Sequence, residues 1–158
     1  MKGITPFLWF DQNAEAAMDF YTSIFKHSKV VRVSRYGDAG PGPKGQVMVG
    51  EFEINGQRFM ALNGGPQFKF TEAISFVIHC EDQEEIDYYW SNLTSQGGQE
   101  SQCGWLKDKF GLSWQVVPTV LSELMGDKDP ARANRVMQAL LQMKKLDIAG
   151  LRSAADRS

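Results

Sequence analysis

One structural phrase occurs twice in this chain. Residues 4–21 (ITPFLWFDQNAEAAMDFY) run from an apolar strand through an acidic helix start to an aromatic pair, and residues 73–89 (AISFVIHCEDQEEIDYY) repeat that order. Each copy later closes on a turn and an apolar strand: Asn55-Gly56 leads into residues 59–63, and Phe110-Gly111 leads into residues 113–117. A repeat of this kind constrains the architecture before any single residue is interpreted, because each copy must form the same supersecondary unit. It also places the expected pocket between two similar half-sites, where a few side chains converge.

The first copy reads as strand 4–10, then helix 13–25, in which Ala14, Ala17, Met18, Tyr21 and Phe25 recur at three- and four-residue spacing and form one apolar stripe. Strands are expected at about 29–36, 46–53 and 57–63. Asn55-Gly56 predicts a tight type I′ hairpin, since both central positions want positive φ. The second copy reads as strand 73–80, helix 82–95, strands 100–103 and 105–107, a turn at 108–111 and strand 112–117. The glycine-rich stretch 37–45 (GDAGPGPKG) absorbs the extra length of the first copy. It is read as a mobile hairpin loop, not a phosphate loop, because Pro43 separates Gly42 from Lys44 and no helix follows. The acidic run Glu81-Asp82-Gln83-Glu84-Glu85 sits at a helix start, where carboxylates cap free N–H groups.

After Pro118 the pattern turns helical. Residues 121–125 fit a short helix. Asp129-Pro130 then supplies an N-cap with proline at the first helical position, and Val136, Leu140, Leu141 and Met143 form an apolar face. Lys144-Lys145 is read as complementing the C-terminal end of that helix, and residues from about Gly150 onward as frayed and polar. The expected fold class is α+β: two βαβββ modules forming a curled mixed sheet, with a domain at 1–120 (modules about 1–66 and 67–120) and a helical tail at 121–158.

At 158 residues, 42% of them apolar and 23% charged, the chain is long enough for one globular domain with a real core. A net charge of −2 gives no electrostatic reason to expect nucleic acid or an acidic membrane surface. No apolar run reaches the roughly 18 residues of a membrane helix, and the N-terminus shows no basic-then-apolar leader. Two cysteines, Cys80 and Cys103, are too few for a secreted disulfide scaffold. The expected home is a reduced cytoplasm.

In this arrangement the segments ITPFLWFDQNAEAAMDFYTSIF, FMALNGGPQFKF and CGWLKDKFGLSWQVVP closely resemble the PhnB-like branch of the vicinal oxygen chelate superfamily, which includes glyoxalase I, bleomycin-resistance proteins and extradiol dioxygenases. The resemblance covers roughly residues 1–120 and a helical tail typical of the branch, which is often labelled 3-demethylubiquinone-9 3-methyltransferase. Members do very different things on one scaffold, so the resemblance implies the fold more tightly than the activity. It also implies a homodimer, as does the need to cover the open edges of two half-barrels.

In metal-using members of that superfamily, His, Gln or Glu side chains project from the first and last strand of each module into the concave face. The matching positions here are Thr5 or Pro6, Met60, Ser75 and Gln115. Gln115 follows the turn glycine Gly111 by four residues, as the family's glutamate does, and Met60 holds the same place after Gly56. A divalent cation wants several carboxylate or imidazole ligands at one point. One amide, a hydroxyl and a thioether cannot assemble that, and His79, the one histidine able to approach the cavity, lacks partners. No metal is therefore expected. Nor is S-adenosylmethionine: Asn63-Gly64-Gly65-Pro66 follows a strand but leads into another extended stretch, not into the helix that such a cradle requires.

Cys103 lies near the expected cavity mouth in Gln102-Cys103-Gly104-Trp105. With no base indicated beside it, it is read as buried packing, and Cys80 as core. The aromatic set is more suggestive. Phe7, Trp9, Phe68, Phe70, Trp105 and Trp114 fall on or beside the strands that curl around the cavity. If the helix packs on Leu8 and Phe10, alternation sends Phe7 and Trp9 to the concave face. Such rings either form an aromatic wall for a flat or apolar ligand, or fill the groove or a dimer interface themselves. The expected function is a metal-independent, homodimeric small-molecule-binding protein without a cofactor, contacting its ligand through Phe7, Trp9, Met60, Ser75, His79, Cys103, Trp105 and Gln115. The alternatives are a metal-dependent lyase or dioxygenase, the labelled methyl transfer, or a structural or regulatory partner with a collapsed groove.

Overall fold

A computed structural model describes residues 1–157, which divide into two units, Met1–Phe70 and the stretch from Thr71 onward. The first unit contains β1 (Phe7–Phe10), α1 (Ala14–Ile24), β2 (Ser28–Arg35), β3 (Val47–Ile54) and β4 (Gln57–Asn63). Its sheet has the order β1-β4-β3-β2, with β1 and β4 parallel and the other pairs antiparallel. Strand alternation decides which side the helix takes. Leu8 and Phe10 are buried together with Ala14, Ala17, Met18 and Tyr21 of α1, and Phe52 stacks on Tyr21 at 5.9 Å and on Phe59 at 5.2 Å. Burying each such ring contributes roughly 2–3 kcal/mol. Asn55 (φ 46) and Gly56 (φ 82) both adopt the left-handed conformation that the hairpin between β3 and β4 requires.

The start of α1 is held from a distance. Asn13 makes no side-chain cap. Instead Asn63, 6% exposed at the end of β4, accepts from the Ala14 N–H at 2.9 Å through Oδ1 and donates from Nδ2 to the Val47 carbonyl at 2.9 Å. The loop at 37–45, expected to be a free hairpin, folds over Tyr36 instead. The Tyr36 ring lies under Gly40 and Gly42, and its hydroxyl donates to the Asn63 carbonyl at 2.8 Å.

The second unit contains β5 (Ser75–Cys80), α2 (Gln83–Leu93), β6 (Gln99–Glu100), β7 (Trp105–Lys107), β8 (Ser113–Pro118), α3 (Val120–Met125), α4 (Pro130–Leu140) and α5 (Ile148–Asp156). Its sheet repeats the first topology, in the order β5-β8-β7-β6 with β5 and β8 parallel. The acidic run does cap α2: Asp82 accepts from the Glu85 N–H at 2.9 Å, and Glu85 accepts from the Glu81 N–H at 2.9 Å. The pair works like a capping box whose return bond reaches one residue before the cap. The expected strand at 100–103 shortens to two residues, because Cys103 (φ 59) and Gly104 (φ 84) turn the chain away from the sheet.

Those turned amides find the link between α4 and α5. The Cys103 N–H donates to the Met143 carbonyl and the Gly104 N–H to the Lys144 carbonyl, both at 2.8 Å. Gln83 brackets the same segment, donating to the Leu146 carbonyl at 3.0 Å and accepting from the Ile148 N–H at 2.9 Å. Two sequence readings are corrected here. The stretch from Leu151 to Asp156 is not frayed: Leu151, Ala154 and Ala155 recur at helical spacing on α5, and Leu151 and Ala155 pack with Val136 of α4 in a buried cluster. Lys144 and Lys145 do not end a helix, since α4 stops at Leu140, and Lys145 pairs with Asp87 at 2.8 Å.

Candidate functional site

In each unit one helix covers one side of the sheet. Helix α1 packs on β2, β3 and β4, and α2 packs on β5, β7 and β8. The opposite, helix-free faces carry the side chains singled out in the sequence.

In the first unit, register sets Phe7, Met60, Glu51 and Arg32 in one row across the helix-free face, and Trp9, Leu62, Val49 and Ser34 in the next. Phe7 is 50% exposed. Trp9 is pinned: its indole N–H donates to the Gly65 carbonyl at 2.9 Å, and Phe68 meets its ring edge-on at 4.9 Å. Gly64 permits this approach, since a Cβ there would stand 2.4 Å from the indole. Sequence reasoning missed the polar part of this face. Glu51 accepts from Arg32 at 2.7 Å and lies 3.6 Å from Arg58, so a carboxylate with only 14% of its side chain exposed is charge-balanced on the sheet.

In the second unit, one row is Val77, Gln115 and Trp105, and its neighbour is Ser75, Ser113, Lys107 and Gln99. The Gln115 amide donates to Ser75 Oγ at 2.9 Å, joining two residues that lie 40 positions apart in the chain. Thus Ser75, Gln115 and Trp105 are brought together, as are Phe7 and Met60 in their own unit. His79 is not part of the Ser75 and Gln115 group. It stands exposed further along β5, opposite Val117. Cys103 sits in the turn before β7, at the seam with the C-terminal helices, half-buried and not fully enclosed. Cys80 is buried on the helix side. Burial first, then the carboxylates of Glu85 and Asp82, push its thiol up to about 12, which keeps it neutral and unreactive at physiological pH.

These residues do not fit a divalent cation. At the positions matched to metal ligands stand Thr5 or Pro6, Met60, Ser75 and Gln115, which offer no carboxylate or imidazole, and among the described residues no three His, Cys, Asp or Glu side chains converge. They do not fit S-adenosylmethionine either. The stretch after Gly64-Gly65 reaches β5 without forming a helix, so no strand-turn-helix cradle offers its N–H groups to a bound nucleoside.

Comparison with known proteins sets this geometry in a family. A family model described as 3-demethylubiquinone-9 3-methyltransferase matches residues 2–117. A PhnB protein from Bacillus cereus, whose name carries the same methyltransferase description, is 41% identical over 75% of this chain and 100% of its own, with a TM-score of 0.69. Protein PA1353 from Pseudomonas aeruginosa shares 20% identity over 75% of this chain and 98% of its own, with a TM-score of 0.62. The fosfomycin resistance protein FosX from Listeria monocytogenes, solved with Mn(II) and sulfate, shares the fold at 15% identity and a TM-score of 0.54, covering 79% of this chain and 96% of its own. No curated protein matches the chain. The two βαβββ units, their strand order and the family model that spans them agree: the chain belongs to the 3-demethylubiquinone-9 3-methyltransferase family, the PhnB-like branch of the vicinal oxygen chelate superfamily.

Proposed function

We propose that this chain is a binding protein that takes an aromatic or apolar small molecule on a helix-free sheet face, without a metal. The observation that carries this reading is the hydrogen bond between Gln115 and Ser75 beside the half-buried ring of Trp105. It holds the Gln115 amide beside the Trp105 indole, and with a thioether and a hydroxyl at other candidate positions the set offers too few carboxylate or imidazole donors for a cation. A half-exposed indole suits a planar ring, whose burial is driven by area and refined by stacking. The manganese of FosX belongs to that protein, and its low identity carries over the fold alone. The methyl transfer in the family's name requires a methyl donor, for which the glycine-rich stretch at Gly64-Gly65 forms no strand-turn-helix cradle.

The test is a tryptophan-fluorescence titration of protein dialysed against chelator, with benzoate, benzyl alcohol and naphthalene-sized rings, after metal analysis of protein purified without chelator. The expected result is metal far below one equivalent, a saturable fluorescence change with at least one ring, and about tenfold weaker binding by Trp105→Ala, since a stacked ring contributes roughly 1 kcal/mol beyond its buried area. Near-stoichiometric metal whose removal abolishes binding would refute the reading. So would a panel of rings that leaves every spectrum unchanged.

A further inference from the structure

The row next to Gln115 is polar from one edge of the second sheet to the other: Ser75 on β5, Ser113 on β8, Lys107 on β7 and Gln99 on β6 are register partners on the helix-free face. A recess of about 170 Å³ opens over its β6–β8 end, lined by residues that include Ser101, Trp105, Lys107, Ser113 and two carboxylate residues, Glu72 on the approach to β5 and Glu100 on β6. Ser113 is 1% exposed, and its Oγ is the one buried side-chain oxygen or nitrogen without a hydrogen-bond partner among the described residues. Leaving a buried hydroxyl unpaired is costly, so an orphan at a recess marks a place where something else supplies the partner.

We propose that this recess is the subsite for the anionic group of a single-ring aromatic acid, a molecule of the benzoate class, with the ring against Trp105 and the carboxylate on Lys107 and Ser113. The proposal rests on the aromatic-binding reading above and specifies its ligand. Lys107 is the one cation lining the recess, and in the free protein its ammonium is paired with Glu72, while the other carboxylate, Glu100, accepts from the Trp90 indole N–H at 2.7 Å. The ion pair is easily exchanged, because 36% of the Lys107 side chain and 59% of the Glu72 side chain stay in solvent, where ion pairs are weak. A ligand carboxylate takes over the ammonium, and its second oxygen accepts from the Ser113 hydroxyl, which no protein group claims. Size selects one ring: a void near 150 Å³ holds benzene, and this recess is of that order at about 170 Å³. Trp105 lies on the adjoining row, so ring and carboxylate bind on neighbouring rows.

The experiment is calorimetric titration of the full chain, in chelator, with benzoate, with benzyl alcohol as its neutral counterpart, and with acetate as its ringless counterpart. Benzoate is expected to bind about tenfold more tightly than benzyl alcohol and to exceed acetate by more, the step that one charge-assisted hydrogen bond gives. Lys107→Met and Ser113→Ala should each weaken benzoate about tenfold while leaving benzyl alcohol within about twofold, and Glu72→Gln should tighten benzoate by removing the competing carboxylate. Ser113→Ala removes an unsatisfied hydroxyl, so its melting temperature should hold or rise, which separates lost binding from lost folding. Equal binding of benzoate and benzyl alcohol, or benzoate binding that ignores both substitutions, would overturn the anionic subsite and leave the aromatic reading standing. Acetate matching benzoate would overturn the ring requirement. If no ring binds at all, the aromatic reading fails and the subsite with it.

Discussion

Replacing Asp108 with alanine is expected to cost about 3–4 kcal/mol of stability, the largest loss for any single polar side chain of the second unit. Asp108 is 3% exposed in the turn between β7 and β8. Its Oδ1 accepts from the Phe110 N–H at 2.9 Å and the Leu112 N–H at 3.1 Å, and its Oδ2 accepts from the indole N–H of Trp114 at 2.9 Å. A buried carboxylate is tolerable only when its lone pairs are met in this way. Truncation strands three donors, and a donor left unpaired in the interior costs about 1–3 kcal/mol. The total falls below the simple sum because the desolvated charge disappears with them. Asp108→Asn should lose about half as much, since its oxygen can still serve the two backbone amides while its NH₂ faces the indole donor. Urea unfolding followed by far-ultraviolet circular dichroism reads both values. A loss under about 1 kcal/mol for alanine would show that the turn does not depend on its carboxylate.

Asn63→Ala is expected to cost about 2–4 kcal/mol in the first unit. The side chain serves two buried groups on elements far apart in sequence, the first N–H of α1 and the carbonyl of Val47 at the start of β3. Its removal frees a helix N-terminal donor with no local substitute, because Asn13 does not cap the helix. Asn63→Asp should recover little: it keeps the acceptor for Ala14 but sets an oxygen against the Val47 carbonyl. Hydrogen exchange provides a second readout. The Ala14 and Glu15 amides should lose protection in Asn63→Ala well before the amides of β3 and β4 do, whereas uniform loss across the unit would contradict a role at the helix start.

These two residues show where sequence reasoning reached its limit. Periodicity was enough to send Leu8 and Phe10 to one face and Phe7 and Trp9 to the other, because alternation is a local property of one strand; which pair α1 covers needed the structure. The duplication likewise implied eight strands in two equivalent modules of one curled sheet, which the structure builds as two four-stranded sheets. Asn63 was not legible, since it caps a helix 49 positions away, and nothing around it differs from an ordinary strand end. Trp9 was singled out for a wall, and the bond from its indole N–H to the Gly65 carbonyl, 56 positions away, was not legible. The polar row of the second sheet needed register, and a usable signal was present. Lys107 and Ser113 stand equally far from Phe110, as do Trp105 and Gln115, so a hairpin centred there pairs both couples. The helix at Ile148–Asp156 was hidden by composition: alanine carries little hydrophobic weight, and the stripe is visible only when Leu151, Ala154 and Ala155 are read at helical spacing.

The most direct test of metal-free ring binding on the helix-free face uses the indole N–H resonances of the four tryptophans, assigned through single Trp→Phe variants. Trp114 reports the helix side of the second sheet through its bond to Asp108, and Trp105 reports the opposite side. With chelator present, adding benzoate or benzyl alcohol should move the Trp105 signal saturably while the Trp114 signal stays in place. A silent Trp105, or a shift that develops only when a divalent cation is restored, would contradict the account.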